Sequence, residues 1–263
     1  EGDAFLAAFD VDDVVEGQKT TLGDTAFVLA GRHRLGLGAP TAVEAPPCPC
    51  AAGCAGTPDH AMLCKSVASM TTMRHDIEAL AVRRVISRAG CASSMEPTYR
   101  HLRSRGQHAG PEGQRRGDIL TVLPDGRVII VDIVVTHPAA PTYARAAART
   151  DGAAAERAAN QKRAEFRSFA DGAQYEFVPF AVESFGRLGQ DAQRFISTLG
   201  DVAAASGRVS KSVFVMNAYK DLSCTLQRGN GLMYSRSLFN IARAEGRQFL
   251  PGSDVPLQDD AAL

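Results

Sequence analysis

The chain has 263 residues, and its 29 basic and 29 acidic side chains cancel, so no global charge draws it toward nucleic acid or a membrane surface. Its composition, 45% hydrophobic and 22% charged, is that of a globular chain able to bury one good core and carry a small appended module. No apolar run approaches the ~20 residues a membrane span needs, and no basic-then-apolar leader opens the chain. Residue 1 is Glu, which suggests a piece of something longer.

The zero balance hides an asymmetry. Residues 1–47 hold eight acidic side chains against three basic ones, whereas residues 74–116 hold nine arginines against four acids. Residues 1–45 read as a linker or the remnant of an upstream region. Phe5–Phe9 suggests a short helix, and the stretch Thr25–Leu37 a second one ending at Gly36 or Gly38. Gly38-Ala39-Pro40 and Pro46-Pro47 then mark a boundary near residue 45.

The six cysteines include three within seven residues, Cys48, Cys50 and Cys54. In a chain this size they fit a metal site in a reducing compartment better than a disulfide framework. Asp59-His60-Ala61-Met62-Leu63-Cys64 follows, and Zn²⁺ takes four tetrahedral thiolate or imidazole ligands. His60 and Cys64 stand four apart and share a face if the segment is helical. The expected zinc ligands over residues 46–66 are Cys48, Cys50, His60 and Cys64, with Cys54 as the alternate. So short a segment, poor in apolar residues, needs a metal to fold.

Arg74-His75-Asp76 opens a helix expected to run to about Ala89 and stop at Gly90, with Arg83, Arg84 and Arg88 on its basic face. Tyr99–Gly117, rich in Gly, Arg and Gln, is expected to be a long polar loop. The arginine excess of this region is where a phosphate backbone would be welcome.

The most informative stretch comes next. Arg116-Gly117-Asp118-Ile119-Leu120-Thr121-Val122 and Arg127–Val135 are two Val/Ile-rich runs separated by Pro124-Asp125-Gly126, which is hairpin chemistry. In a three-residue loop Pro124 and Asp125 centre a type I turn and Gly126 takes the left-handed position. Paired residue numbers then sum to 250, and Asp118 faces Asp132. A two-residue loop would put the two acids on opposite faces. Opposed like charges are destabilising, and two carboxylates so placed call for a cation such as Mg²⁺.

Beyond the hairpin, Pro138 and Pro141 bar an immediate helix. Asp151 is a candidate N-cap for a helix over about 153–169, and Tyr175–Ser184 alternates like a strand. Strand, helix, strand of this length implies a crossover and a parallel pair. Helices are expected at about 187–199, 208–227 and 231–244, the last two separated by Gly229-Asn230-Gly231. Residues 251–263 read as a disordered tail.

A Cys/Cys/His/Cys knuckle, then Arg-His-Asp, then Gly-Asp-(x)13-Asp-Ile-Val-Val-Thr-His-Pro, then a helical lysine, resembles the restriction-like endonuclease of non-LTR retrotransposon reverse-transcriptase polyproteins. That domain belongs to the PD-(D/E)XK nuclease superfamily. The likeness spans roughly residues 45–200 and includes Phe177–Glu183 and Gly186-Arg187. It implies an α/β fold, a restriction-endonuclease-like mixed β-sheet flanked by helices, over residues 67–200. A small zinc knuckle would precede it and C-terminal helices over 201–250 would follow.

The resemblance also implies a site and an activity. Asp118 and Asp132 would be the acids that bind Mg²⁺ or Mn²⁺. The superfamily lysine usually lies two residues after the second acid, where this chain has Val134; in the retrotransposon branch it moves to the following helix, where Lys162 matches. Phe166 stands where that branch often has a tyrosine, Gly117 replaces the PD proline, and Glu96 is a weaker match to an acid ahead of the hairpin. Arg74, His75, Arg84 and Arg116 would contact DNA or, for Arg74 and His75, brace the site. The implied activity is nicking of target DNA in the nucleus, with element RNA and the polyprotein's reverse transcriptase domain as further partners and no membrane.

Overall fold

In the computed structural model, described for residues 24–37, 47–50, 57–97, 117–170 and 175–246, the chain divides into two compact units. One comprises Glu1–Arg74 with Cys224–Leu263, the other His75–Ser223. No helix among the described residues is long and apolar enough to cross a membrane. The segments expected over Phe5–Phe9 and 251–263, and all but Gly117 of the loop expected over Tyr99–Gly117, lie outside the described residues.

The first unit contains α1 (Asp24–Arg34), α2 (Pro58–Leu63), a 3₁₀ turn (Lys65–Val67) and the start of α3 (Ala68–Arg88). Its core brings together Leu29, Ala61, Met62, Val67 and Met70 with Leu232, Met233 and Tyr234. Those last three lie on α7 (Lys211–Ala244), one unbroken helix of 34 residues. The break expected at Gly229-Asn230-Gly231 is absent. Each glycine costs roughly 1 kcal/mol in a helix, but all three residues are buried, and Asn230 accepts a 2.8 Å hydrogen bond from Arg74. Packing overrides propensity here.

The second unit is a mixed α/β arrangement, a four-stranded open sheet flanked by helices, in the order β1 (Ala92–Met95), β2 (Ile119–Val122), β3 (Val128–Thr136), β4 (Glu176–Glu183). β1–β2 and β2–β3 are antiparallel and β3–β4 parallel. The β2–β3 hairpin has the three-residue loop. Ile119 faces Val131 and Val122 faces Val128, Leu123 N–H donates to Arg127 O at 2.9 Å, and Gly126 takes φ +87°. β1, with residues Ala-Ser-Ser-Met, carries no strand-forming signature in its sequence.

Helix α3 begins at Ala68, six residues ahead of the expected start, and ends as expected at Gly90. Cys91 N–H reaches Ile86 O and Gly90 N–H reaches Ser87 O, with Gly90 at φ +85°. This is the Schellman pattern that needs a left-handed glycine.

A short α4 (Ala144–Ala147) and then α5 (Ala153–Ala170) connect β3 to β4. The residue that satisfies the start of α5 is not Asp151. The Glu183 carboxylate, from the last position of β4, accepts the Ala154 and Ala155 N–H groups at 3.0 and 3.2 Å. A carboxylate there also meets the positive end of the helix dipole. α5 lies on one sheet face: Ala155 and Ala159 pack on Ala181 and Val134, and Phe166 on Ile130. Phe166 also stacks on Phe177 with ring centroids 4.1 Å apart. α6 (Gln190–Ala205) packs against β4, and its Gly200 admits Lys211, Phe214 and Val215 of α7.

Because Glu183 anchors α5 at its first turn, Glu183→Ala is expected to destabilise the protein by about 1–2 kcal/mol. Urea unfolding measures this, and Glu183→Gln, which keeps an acceptor but loses the charge, should fall between the two.

Candidate functional site

The hairpin register decides the chemistry of the second unit. With Ile119 across from Val131, the next step outward sets Asp118 against Asp132, close enough that each carboxyl shifts the titration of the other. Asp118 lies just before β2, held there by Glu96 N–H donating to Asp118 O at 2.8 Å. Asp132 is mid-strand in β3, beside Pro179 of β4. Pro179 is tolerated because β4 is an edge strand.

Each acid has a cationic neighbour. Lys162 Nζ sits 3.1 Å from Asp132 Oδ2 and 3.3 Å from Oδ1. Residues 155, 159, 162 and 166 form one stripe of α5 at i, i+4, i+7 and i+11, and three of the four are apolar and buried against the sheet. Lys162 is the one charge in that stripe, placed above Asp132. On the other side, His75 Nε2 lies 3.2 Å from Asp118 Oδ2 and His75 Nδ1 3.1 Å from Asp76 Oδ1. Ile133 N–H donates to the same Asp118 Oδ2 at 2.5 Å.

The electrostatics follow from these contacts. Burial pushes the Asp132 carboxyl up to about 7; Lys162 pulls it back only in part, and the Asp118 charge adds to the rise. Burial works the same way on Asp118, yet the His75 bond, the His75 charge and the Ile133 N–H outweigh it and hold Asp118 below the ordinary carboxyl range. The Asp118 hydrogen bond, against the opposing effect of burial, raises His75 to about 9. The row therefore reads cation, anion, titrating acid, cation.

The first unit holds a separate cluster. Cys48, Cys50, His60 and Cys64 bring four ligand atoms within 4.8 Å of one another. Cys48 Sγ and Cys64 Sγ are 3.6 Å apart, and Cys50 Sγ lies 3.3 Å from His60 Nε2. Around a tetrahedral zinc with Zn–S of about 2.3 Å, ligand atoms are separated by roughly 3.5–3.8 Å, so this Cys₃His set fits a metal such as zinc. Burial pushes the Cys48 thiol up to about 11, and the Cys50 and Cys64 side chains add to the rise against the Cys50 backbone N–H. A buried thiol beside other thiols ionises readily only when a metal takes the charge. Thr57 caps α2 by accepting the His60 N–H at 3.1 Å, and Ser66 Oγ lies 3.0 Å from Cys64 Sγ. Cys54, the alternate ligand, lies outside the described residues.

Those residues expected to contact DNA that the structure describes have partners within the protein. Arg74 is only 2% exposed, bonded to Asn230 and Met62, and is a core residue of the first unit rather than a phosphate ligand. Arg84 and Arg88 both pair with the largely buried Asp221 on α7, so that face of α3 carries much less free positive charge than its composition suggests. His75 turns to Asp118. Arg116 lies outside the described residues. Glu96 has φ +47° and contributes its backbone to the Asp118 strand end.

Sequence reasoning missed the carboxylate partner of His75, Asp76, and the cap made by Glu183. A histidine next to an aspartate on a helix offered a signal for the first; nothing local could reveal the second. The chain matches no protein-family model and no curated protein.

Elemental analysis of the purified protein should find about one zinc per chain. Stripping it, or replacing Cys64 by Ser, should lower the stability of the first unit, and a metal-free protein that melts unchanged would contradict the structural role.

Proposed function

We propose that the second unit is a metal-dependent DNA endonuclease with a restriction-endonuclease-like core. The observation that carries this reading is the convergence of Asp118, Asp132 and Lys162 on one sheet face. Two carboxylates from opposed strand positions and a lysine from the following helix are what hydrolysis of a phosphodiester needs. They hold a cation and balance charge on the phosphoryl oxygens.

Asp118 and Asp132 would hold Mg²⁺ or Mn²⁺. When bound, such an ion supplies positive charge to the scissile phosphate and acidifies attacking water. Lys162, already against Asp132, is placed to donate to a phosphoryl oxygen and follow its charge into the transition state. Its placement on α5 accounts for Val134 standing where other superfamily members carry their lysine. Val134 packs on Ala155 and Ala159 instead. In the setting the resemblance suggests, the substrate is target DNA in the nucleus. The element's RNA and a reverse transcriptase domain of the same polyprotein would be partners.

The Cys₃His cluster favours a second reading, a nucleic-acid-binding module that has kept a nuclease-like core without its activity. Supercoiled plasmid incubated with Mg²⁺ separates the two. The nuclease reading expects nicking that Asp132→Ala lowers by about 10²-fold or more and Lys162→Ala also lowers. Absence of nicking, or nicking untouched by Asp132→Ala, removes it. Binding of labelled DNA by zinc-loaded Asp132→Ala then decides whether a binding module remains.

A further inference from the structure

The environment of His75 sets it apart from a backbone-contacting residue. Both of its ring nitrogens face carboxylate oxygens, Asp76 Oδ1 on one side and Asp118 Oδ2 on the other. Asp76 is the more exposed of the two, and the His75 side chain is only about one-third exposed (31%). The ring is thus held along a line from the helix surface to the strand end. It is carried on α3.

What the ring does to Asp118 is specific to one oxygen. His75 Nε2 and Ile133 N–H, from different elements, both meet Oδ2. Two donors on one oxygen fix the carboxylate's rotation about its Cβ–Cγ bond. Among the described residues no nitrogen donor meets Oδ1. Lys162 touches both oxygens of Asp132 but neither of Asp118.

We propose that His75 is a positioning residue: tethered by Asp76, it pins Oδ2 of Asp118 and leaves Oδ1 to receive a divalent cation shared with Asp132. The reaction this would serve rests on the nuclease reading, but the positioning of Asp118 toward a cation does not. The role also requires the hydrogen bond itself, not merely a ring in that space. A glutamine amide nitrogen reaches about as far as Nε2 and an asparagine amide nitrogen about as far as Nδ1. His75→Gln therefore keeps the bond to Asp118, whereas His75→Asn keeps only the side toward Asp76.

Mn²⁺ binding to the zinc-loaded full chain, followed by electron paramagnetic resonance, tests this without reference to turnover. The signal that belongs to the site is the one lost in Asp118→Asn. His75→Ala and His75→Asn should weaken that binding by about 10-fold or more, the scale on which partners of metal ligands act. His75→Gln should stay within about 3-fold of wild type. In nicking assays His75→Ala should lower kcat while leaving KM for plasmid unchanged. Equal Mn²⁺ affinity in all variants overturns the inference, as does His75→Gln behaving like His75→Ala. Weakened DNA binding with Mn²⁺ affinity intact makes His75 a DNA contact and overturns it too. A wild-type protein that does not nick, but whose Mn²⁺ site weakens in His75→Ala, loses the nuclease reading and keeps the positioning role.

Discussion

Two carboxylates forced to face one another across a hairpin are the constraint on which the second unit depends. Directly opposed strand residues have Cβ atoms roughly 4.5–5.5 Å apart, and like charges at that separation repel. Burial makes the repulsion worse, because a charge in low dielectric has lost its water. The molecule answers with a cation at each end, His75 at Asp118 and Lys162 at Asp132. The row would fail with a loop one residue shorter. Asp118 and Asp132 would then lie on opposite faces, each beside one cation and neither beside the other.

Lys162 reaches this row only because α5 is placed in both height and rotation. Small residues at Ala155 and Ala159 let the helix axis approach the sheet, while the Phe166–Phe177 stack supports its far end. Successive helix residues turn by about 100°, so a slip of one position would swing Lys162 off the sheet face. Glu183 fixes the start of the helix against such a slip. That carboxylate lies at the end of β4, whose register with β3 also sets Asp132 against Pro179. One strand pairing thus places the acid and, through the cap, the helix that carries its partner.

The Cys/His cluster poses the complementary problem in the first unit. There burial opposes ionisation of the Cys48 thiol, a cost that a bound cation would offset. Its ligands come from a short loop, from α2 and from the residue that ends α2, within a core that also contains Tyr234 and Met233 of α7. The arginine-rich region before the hairpin resolves differently again. Of its described arginines, Arg74, Arg84 and Arg88 are engaged with internal partners.

What the sequence alone determined is what local chemistry controls. Pro124-Asp125-Gly126 specifies its loop because a proline φ and a left-handed glycine leave few alternatives, and loop length then dictates which residues face one another. The Gly90 stop, the strand over 176–183 and the Cys/His spacing are local in the same sense. Only the tertiary structure decided matters that couple distant residues. Helix α7 runs through two glycines because Asn230 and its neighbours are buried. Glu183, not Asp151, caps α5 because the crossover returns β4 beside that helix start. His75 and Lys162 lie 43 and 30 residues from the acids they meet, Asp118 and Asp132. The resemblance singled out Lys162 for the two acids, but nothing in the chain paired His75 with Asp118; the packing of α3 and α5 around the hairpin creates both contacts.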